Sequence, residues 1–279
     1  MWTDENRARY DRSKLRYPSD LTDQEWSLIE PLIPPAKRGG NRRTVVVRDV
    51  VDGVMYILST GCQWPALPKD LPPRSTVNDY FRRWDDDGTL DRIHHALYIQ
   101  CRELAERAAS PTAAIIDSQS VKSAEKGGSL SDPPGYDAGK KIKGKKRHVL
   151  VDTQGLLLHA VVHAADIQDR DGGVLLMSTL FGLFPFLLKL YADSGYQGPK
   201  FKAGLQRVCS QINVEIVKRS DAGTFVVLPK RWIVERTIAW LNRCRRLAKD
   251  WECLNRNGLA FLRWASVRLM VRKLCKGNQ

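Results

Sequence analysis

The sequence predicts a mixed α/β sheet with helices on both faces, preceded by an all-helical, helix-turn-helix-like domain. Three observations carry this. Apolar residues recur at helical spacing from Leu21 to about Arg107. Short apolar runs ending in carboxylates begin after Pro111, and helical stretches alternate with them up to a strongly basic C-terminal segment. At 279 residues the chain is long enough for two cores, and the expected division is a tail over 1–19, a helical domain over 20–110 and a sheet domain over 111–279 that includes basic C-terminal helices.

The first helix opens at Thr22-Asp23-Gln24-Glu25, which has the spacing of a capping box, and Trp26, Ile29 and Leu32 follow at helical intervals. Pro34-Pro35 and Gly39-Gly40 break it, with Lys37, Arg38, Arg42 and Arg43 around the break. A second helix is expected over 44–59, with Val47, Val50, Val51, Val54, Ile57 and Leu58 on its buried stripe. After Pro72-Pro73, Ser75 or Thr76 is expected to cap a third helix through Trp84, and a fourth runs from about Leu90 to Arg107. Asn78, Arg82 and Arg83 on the third helix suit base-edge or phosphate contact, with Tyr80, Phe81 and Trp84 as core. Any small helical bundle would satisfy the same pattern.

In the second part, residues 112–116 read as a buried strand ending at Asp117. Residues 148–152 and 156–164 read as two strands joined by a turn containing Gly155, with Asp152 as turn former. Residues 171–183 read as helix, 187–192 as a strand ending at Asp193, 199–211 as helix, 214–218 as strand and 230–251 as a long helix containing Glu235. Residues 126–145 are polar and glycine-bearing and read as a loop.

Lys and Arg number 45 against 31 Asp and Glu, a net charge of +14 that points to a polyanion, nucleic acid first. The charge is concentrated. Residues 229–279 hold thirteen cations and three acids, and a second block comprises Lys140, Lys141, Lys143, Lys145, Lys146 and Arg147. No apolar run is long and unbroken enough to span a bilayer, and the polar N-terminal stretch has no apolar segment behind it. The expected location is therefore cytoplasmic and nucleoid-associated, with the six cysteines reduced. Absence of G-x-x-x-x-G-K-[ST] argues against a nucleotide cofactor.

Two of the strands end in Asp-Ser, at Asp117-Ser118 and Asp193-Ser194. Ligands bind beyond the carboxyl ends of strands in open α/β sheets, and two aspartates there repel unless a cation sits between them. Mg²⁺, or Mn²⁺, fits an all-oxygen set, and two such ions can activate an attacking oxygen and stabilise a leaving one. Taken singly, each aspartate equally suits a turn-capping role. His159 and His163 share a strand face without a third ligand in view, and His94-His95 lies in a helix, so both pairs read as structural.

Four ordered segments resemble one family. Asp117-Ser118-Gln119-Ser120-Val121-Lys122, then Gly144-Lys145-Lys146-Arg147-His148 with Val151-Asp152-Thr153-Gln154-Gly155, then Ala192-Asp193-Ser194-Gly195-Tyr196, then Arg231-Trp232-Ile233-Val234-Glu235-Arg236-Thr237 look like bacterial insertion-sequence DDE transposases. The similarity is to the insertion-sequence five group of the four/five superfamily. The helical part resembles the same group's DNA-binding region, from Leu21 through Gly61-Cys62-Gln63-Trp64 to Pro73-Arg74-Ser75-Thr76-Val77. The resemblance implies an RNase H-like fold in which Asp117, Asp193 and Glu235 are catalytic and share two divalent ions. The clustered charge leads to an expectation of DNA contact by Lys122, Lys143, Lys145, Lys146, Arg147, Arg231, Arg236 and Arg243, and by Arg74, Asn78, Arg82 and Arg83 of the helical part. The chain departs from the superfamily's pattern at Leu228 and Asn242, which stand where Tyr and Lys are usual, and Arg243, Arg245 and Arg246 lie nearby.

The leading expectation is an enzyme that cleaves DNA at the terminal inverted repeats of its own insertion sequence and joins the 3′-OH ends to target DNA, as a homodimer in the synaptic complex. A DNA-binding regulator derived from a transposase, or an RNase H-like nuclease, are the alternatives.

Overall fold

The computed structural model describes residue 3, 11–36, 39, 43–124, 130–180, 182–217 and 231–276. The expectations attached to Lys37, Arg38, Arg42 and Leu228 lie outside the described residues. The chain divides into two compact units, one of residues 1–107, 244–246 and 263–279, the other of 108–243 and 247–262.

The first unit contains α1 (Asp23–Ile29), α2 (Val47–Thr60), α3 (Arg74–Asp86) and α4 (Thr89–Glu103). The capping box forms: Thr22 accepts from the Glu25 N–H, and Glu25 accepts from the Thr22 N–H. Gly61 ends α2 in the left-handed region at φ 71°, where a Cβ would be strained and would press on the Arg245 backbone. Helix α3 begins one residue before the expected cap. Pro73 holds the N-cap position without a side-chain hydrogen bond, so neither Ser75 nor Thr76 caps it.

Val50, Val54, Ile57 and Leu58 of α2 are buried, as are Val77, Phe81 and Trp84 of α3 and Leu90, Ile93 and Leu97 of α4. Tyr80, expected in this core, is half-buried, with the Arg43 and Arg83 guanidinium groups over its ring. Residues 11–19 are more than a tail. Arg12 donates two hydrogen bonds to Glu25, and Arg16 pairs with Asp20 and Asp49. The C-terminal residues also belong here. Helix α8 (Asn255–Lys276) contributes Trp264, whose ring lies 5.9 Å from that of Trp84, and Ser266, 3.0 Å from His94.

Among the described residues the second unit has six strands: β1 (Ala113–Lys122), β2 (Gly135–Asp137), β3 (Ile142–Asp152), β4 (Leu157–Ala164), β5 (Lys189–Ala192) and β6 (Asn213–Ile216). The order is β2-β3-β1-β5-β6, with β4 also paired to β3. β1 is antiparallel to β3 and parallel to β5, which is parallel to β6. This is the mixed sheet of an RNase H-like domain. Helices α5 (Asp169–Ser178) and α6 (Pro199–Val208) pack together against one face, and α7 (Arg231–Leu241) against β1 and β3. The predicted long helix over 230–251 stops at Leu241, and a 3₁₀ turn at Arg245–Leu247 follows.

Two strands are longer than expected. β1 runs through Asp117 to Lys122, because 118–122 pair with 144–148 of β3. β3 begins at Ile142, so most of the basic block is strand rather than loop. Asp152 makes the predicted turn, accepting from the N–H groups of Gln154 and Leu156. Gly155, at φ 85°, is required there, since a Cβ would lie 2.7 Å from Thr237 Oγ1 of α7.

Candidate active site

Parallel pairing sets Ala113 beside Lys189 and Ile115 beside Tyr191. Carried two residues further, this register brings Asp117 of β1 against Asp193, the residue after β5. Both line one crevice, together with Arg231 of α7. Asp193 is fixed by the Gly195 N–H, 2.9 Å away, and the Ser118 N–H lies 2.7 Å from Asp117 Oδ1. Burial first, and then the negative charge of Asp193, push the Asp117 carboxyl up to about 6; the Ser118 N–H, Arg231 and Lys140 oppose the shift.

This shift has a measurable sign. The native state keeps the Asp117 proton up to about pH 6, whereas the unfolded chain releases it near 3.8. Asp117 therefore costs stability progressively as pH rises from about 4 to about 6, on the order of 3 kcal/mol in full. Thermal melts in EDTA should show Asp117→Asn gaining stability over wild type across that window and holding the gain above it. Identical pH profiles would remove Asp117 from the set of buried charges.

Glu235 lies apart from the two aspartates in its pairing. It is half-exposed and its Oε1 is 3.1 Å from Arg231 Nε, while Arg231 Nη2 is 3.8 Å from Asp193 Oδ2. One guanidinium thus stands between the two carboxylates. Among the described residues no three His, Cys, Asp or Glu side chains converge on one ion position. Asp117 and Asp193 do fit a divalent cation, as a partly buried pair of oxygen donors that repel when both are charged.

The predicted cations separate into two sets. Lys145, Lys146 and Arg147 are buried and cannot meet a phosphate in this fold. Lys145 Nζ donates to the carbonyls of Asp132 and Pro133, and Arg147 to those of Leu247 and Lys249. Lys146 Nζ lies 2.9 Å from Asp169 and 3.4 Å from Asp137 and donates to the Ile167 carbonyl. Their expected DNA-binding role is corrected by the strand that encloses them. Arg236 is also engaged: it donates to the Gln154 carbonyl and lies over the rings of Trp232 and Trp240.

Lys122, Lys143 and Arg243 are exposed. So are Arg74, Arg82 and Arg83, while Asn78 is half-buried. Arg74, Asn78 and Arg82 recur every four residues and share one side of α3, bordering the buried Phe81 rather than opposite it. Asp79, Asp86 and Asp87 are interleaved with Arg82 and Arg83 along one cleft, which dilutes its positive charge.

Residues without a sequence-level signal of their own lie behind the aspartates. Asp169, in the first turn of α5, accepts from the Ser118 hydroxyl at 3.0 Å and pairs with Lys146, while Gln168 holds the N-cap position without a side-chain bond. Burial works against its charge, but the hydrogen bond and charge of Lys146 outweigh that and hold the carboxyl below its ordinary range. His148 Nδ1 is 2.9 Å from the Tyr196 hydroxyl, and its ring centroid is 4.9 Å from that of His163. Burial, then the charge of its neighbour, lowers the His148 pKa to about 3. A period-two reading of 144–148 as strand would have put Lys146 and His148 on one face and exposed the pattern.

An RNase H-like sheet thus brings Asp117 of β1 and Asp193, just after β5, to one crevice. Residues 108–270 match the family described as "Transposase DDE domain", and 21–94 match "Putative transposase of IS4/5 family". The chain belongs to the DDE transposases of the IS4/5 family. It is 32% identical over 120 residues to "Insertion element IS402 uncharacterized 16.2 kDa protein" of Burkholderia cepacia, spanning 41% of this chain and 80% of that one. It is 31% identical over 116 residues to "Putative transposase for insertion sequence element IS402" of the same organism, spanning 39% of this chain and 54% of the relative. The chain thus covers about half the length of that second relative. No solved structure matches. Among the described residues, no helix is long and apolar enough to cross a membrane.

Proposed function

We propose that this chain cleaves DNA at the terminal inverted repeats of its own insertion sequence and joins the freed 3′-OH to target DNA, as a homodimer in the synaptic complex. The observation that carries this reading is that Asp117 and Asp193 line one crevice beside Arg231. Asp117 and Asp193 would hold divalent metal, Mg²⁺ or Mn²⁺, and Glu235 would complete the set from α7. Bound there, two such ions supply activation of the attacking oxygen and charge stabilisation at the leaving one. Arg231 holds Asp193 and Glu235 on either side of one guanidinium and would meet the scissile phosphate. The Gly195 N–H fixes the orientation of Asp193.

Cleavage and joining of labelled end DNA with Mg²⁺ test the proposal. Asp117→Asn and Asp193→Asn should bind DNA and leave it uncut. The pairing of Glu235 with Arg231, rather than with the aspartates, favours one other reading, a DNA-binding regulator that cuts nothing. Wild-type protein that binds its ends without any Mg²⁺- or Mn²⁺-dependent cleavage would establish that reading instead. End recognition is assigned to α3. Replacing Arg74, Arg82 and Arg83 together by Ala should lower affinity and flatten its dependence on salt, by up to about 0.9 in the log–log slope for each phosphate no longer neutralised. An unchanged slope would take α3 out of the interface.

A further inference from the structure

The geometry points to Asp169 as a positioning residue that sets the relation between the two aspartate-bearing segments; this rests on the metal-dependent reading above. Its two carboxylate oxygens serve different segments. Oδ1 accepts from the hydroxyl of Ser118, the residue after Asp117, at 3.0 Å. Oδ2 approaches the backbone of the other segment: a Cβ on Gly195 would stand 3.1 Å from it and 3.0 Å from Asp193 Oδ1. Gly195 is the residue whose N–H orients Asp193. One carboxylate therefore hydrogen-bonds the residue beside Asp117 and fills the space where a side chain on Gly195, which orients Asp193, would stand.

The carboxylate is itself held. Lys146 Nζ is 2.9 Å from Asp169 Oδ1, and this ammonium group is buried, anchored further by the Ile167 carbonyl and by Asp137. Lys140 Nζ reaches the same place from the other side, 3.2 Å from the Ser118 carbonyl and 3.3 Å from its hydroxyl. Strand alternation explains the arrangement: Ser118 and Ser120 of β1 point to the face opposite Asp117, and pairing sets Ser120 beside Lys146. The face that carries Asp117 is thus positioned from behind by an ion pair that touches neither substrate nor metal. Outer partners of this kind fix the orientation of ligating carboxylates, and losing one typically weakens metal binding by about 10- to 100-fold.

The test is uptake of Mn²⁺ alone by the full chain, read as loss of the free-ion electron paramagnetic signal, alongside melting curves and the Mn²⁺ dependence of end cleavage. Asp169→Asn keeps size and an acceptor for Ser118 but loses the charge; Ser118→Ala removes the link to β1 while leaving the Lys146 pair intact. The Ser118→Ala protein carries the test where Asp169→Asn does not fold. Both should raise half-saturation by about 10- to 100-fold, with cleavage recovering at high Mn²⁺ and the melting curve of Ser118→Ala close to wild type. Folded variants with wild-type half-saturation, or with activity lowered equally at every Mn²⁺ concentration, would assign Asp169 a structural role only and leave the transposition reading standing. Wild-type protein that takes up no Mn²⁺ and cleaves nothing would overturn both.

Discussion

Glu235→Gln should fold, bind end DNA and lose Mg²⁺-dependent cleavage and joining by about 10³-fold or more, because several kcal/mol of transition-state stabilisation disappear with one carboxylate charge. The folding side of this expectation follows from exposure. Glu235 is 53% exposed and, among the described residues, pairs with Arg231 four residues earlier on α7, an arrangement worth roughly 0.3–0.5 kcal/mol. Helix α7 is held by other contacts: Ile233, Val234 and Leu241 are buried, and the Thr237 hydroxyl donates to the Gly155 carbonyl across to the β3–β4 turn. Ordinary surface contact therefore predicts almost no effect, and a metal-ligand role predicts a total one. Gel assays with end-labelled DNA separate them, with binding measured on the same preparation. Near-wild-type cleavage by Glu235→Gln would require the carboxylate set to be rebuilt around Asp117 and Asp193 without α7.

The second large effect lies in the basic block. Lys146→Ala should destabilise the protein by about 3–5 kcal/mol, since it leaves Asp169 and Asp137, both largely enclosed, without their shared cation. Lys143→Ala, on an exposed neighbour two positions from Lys145, should stay within about 0.5 kcal/mol. Urea unfolding of the two variants measures the contrast. Equal and small losses would mean that the buried lysine is not bearing those charges.

The sequence pattern revealed unequal parts of this molecule. The capping box at Thr22, the buried stripe of α2, the turn at Asp152 and the meeting of Asp117 and Asp193 at one crevice were legible because each depends on local spacing or on where an apolar run stops. The basic block misled for a physical reason. Lysine density normally marks solvated surface, and only long-range pairing of residues 144–148 with 118–122 encloses Lys145, Lys146 and Arg147. Asp169 misleads in the same way. An aspartate near a helix start has a local use, and nothing within a few residues of it reveals Ser118, 51 positions earlier. Glu235 was found through its place in a motif, while its observed partner, Arg231, is the one that helix spacing alone supplies.

The membership of residues 263–276 in the first unit bears on how the protein is made. Trp264, Val267, Met270 and Val271 are buried, and Arg272 faces Glu25 at 3.8 Å, beside the capping box of α1. During synthesis, the N-terminal helices leave the ribosome long before these residues do, and until then their core lacks one wall. A chain ending at residue 110 is for that reason a poor carrier of the first unit, and a genetic fusion of 11–107 to 263–276 through a flexible linker is the smallest piece expected to fold. A nascent chain stalled before Trp264 should be cut by protease within α2–α4, and a released one should resist. Closure of the first core therefore waits until the sheet encoded between its two segments has also been made.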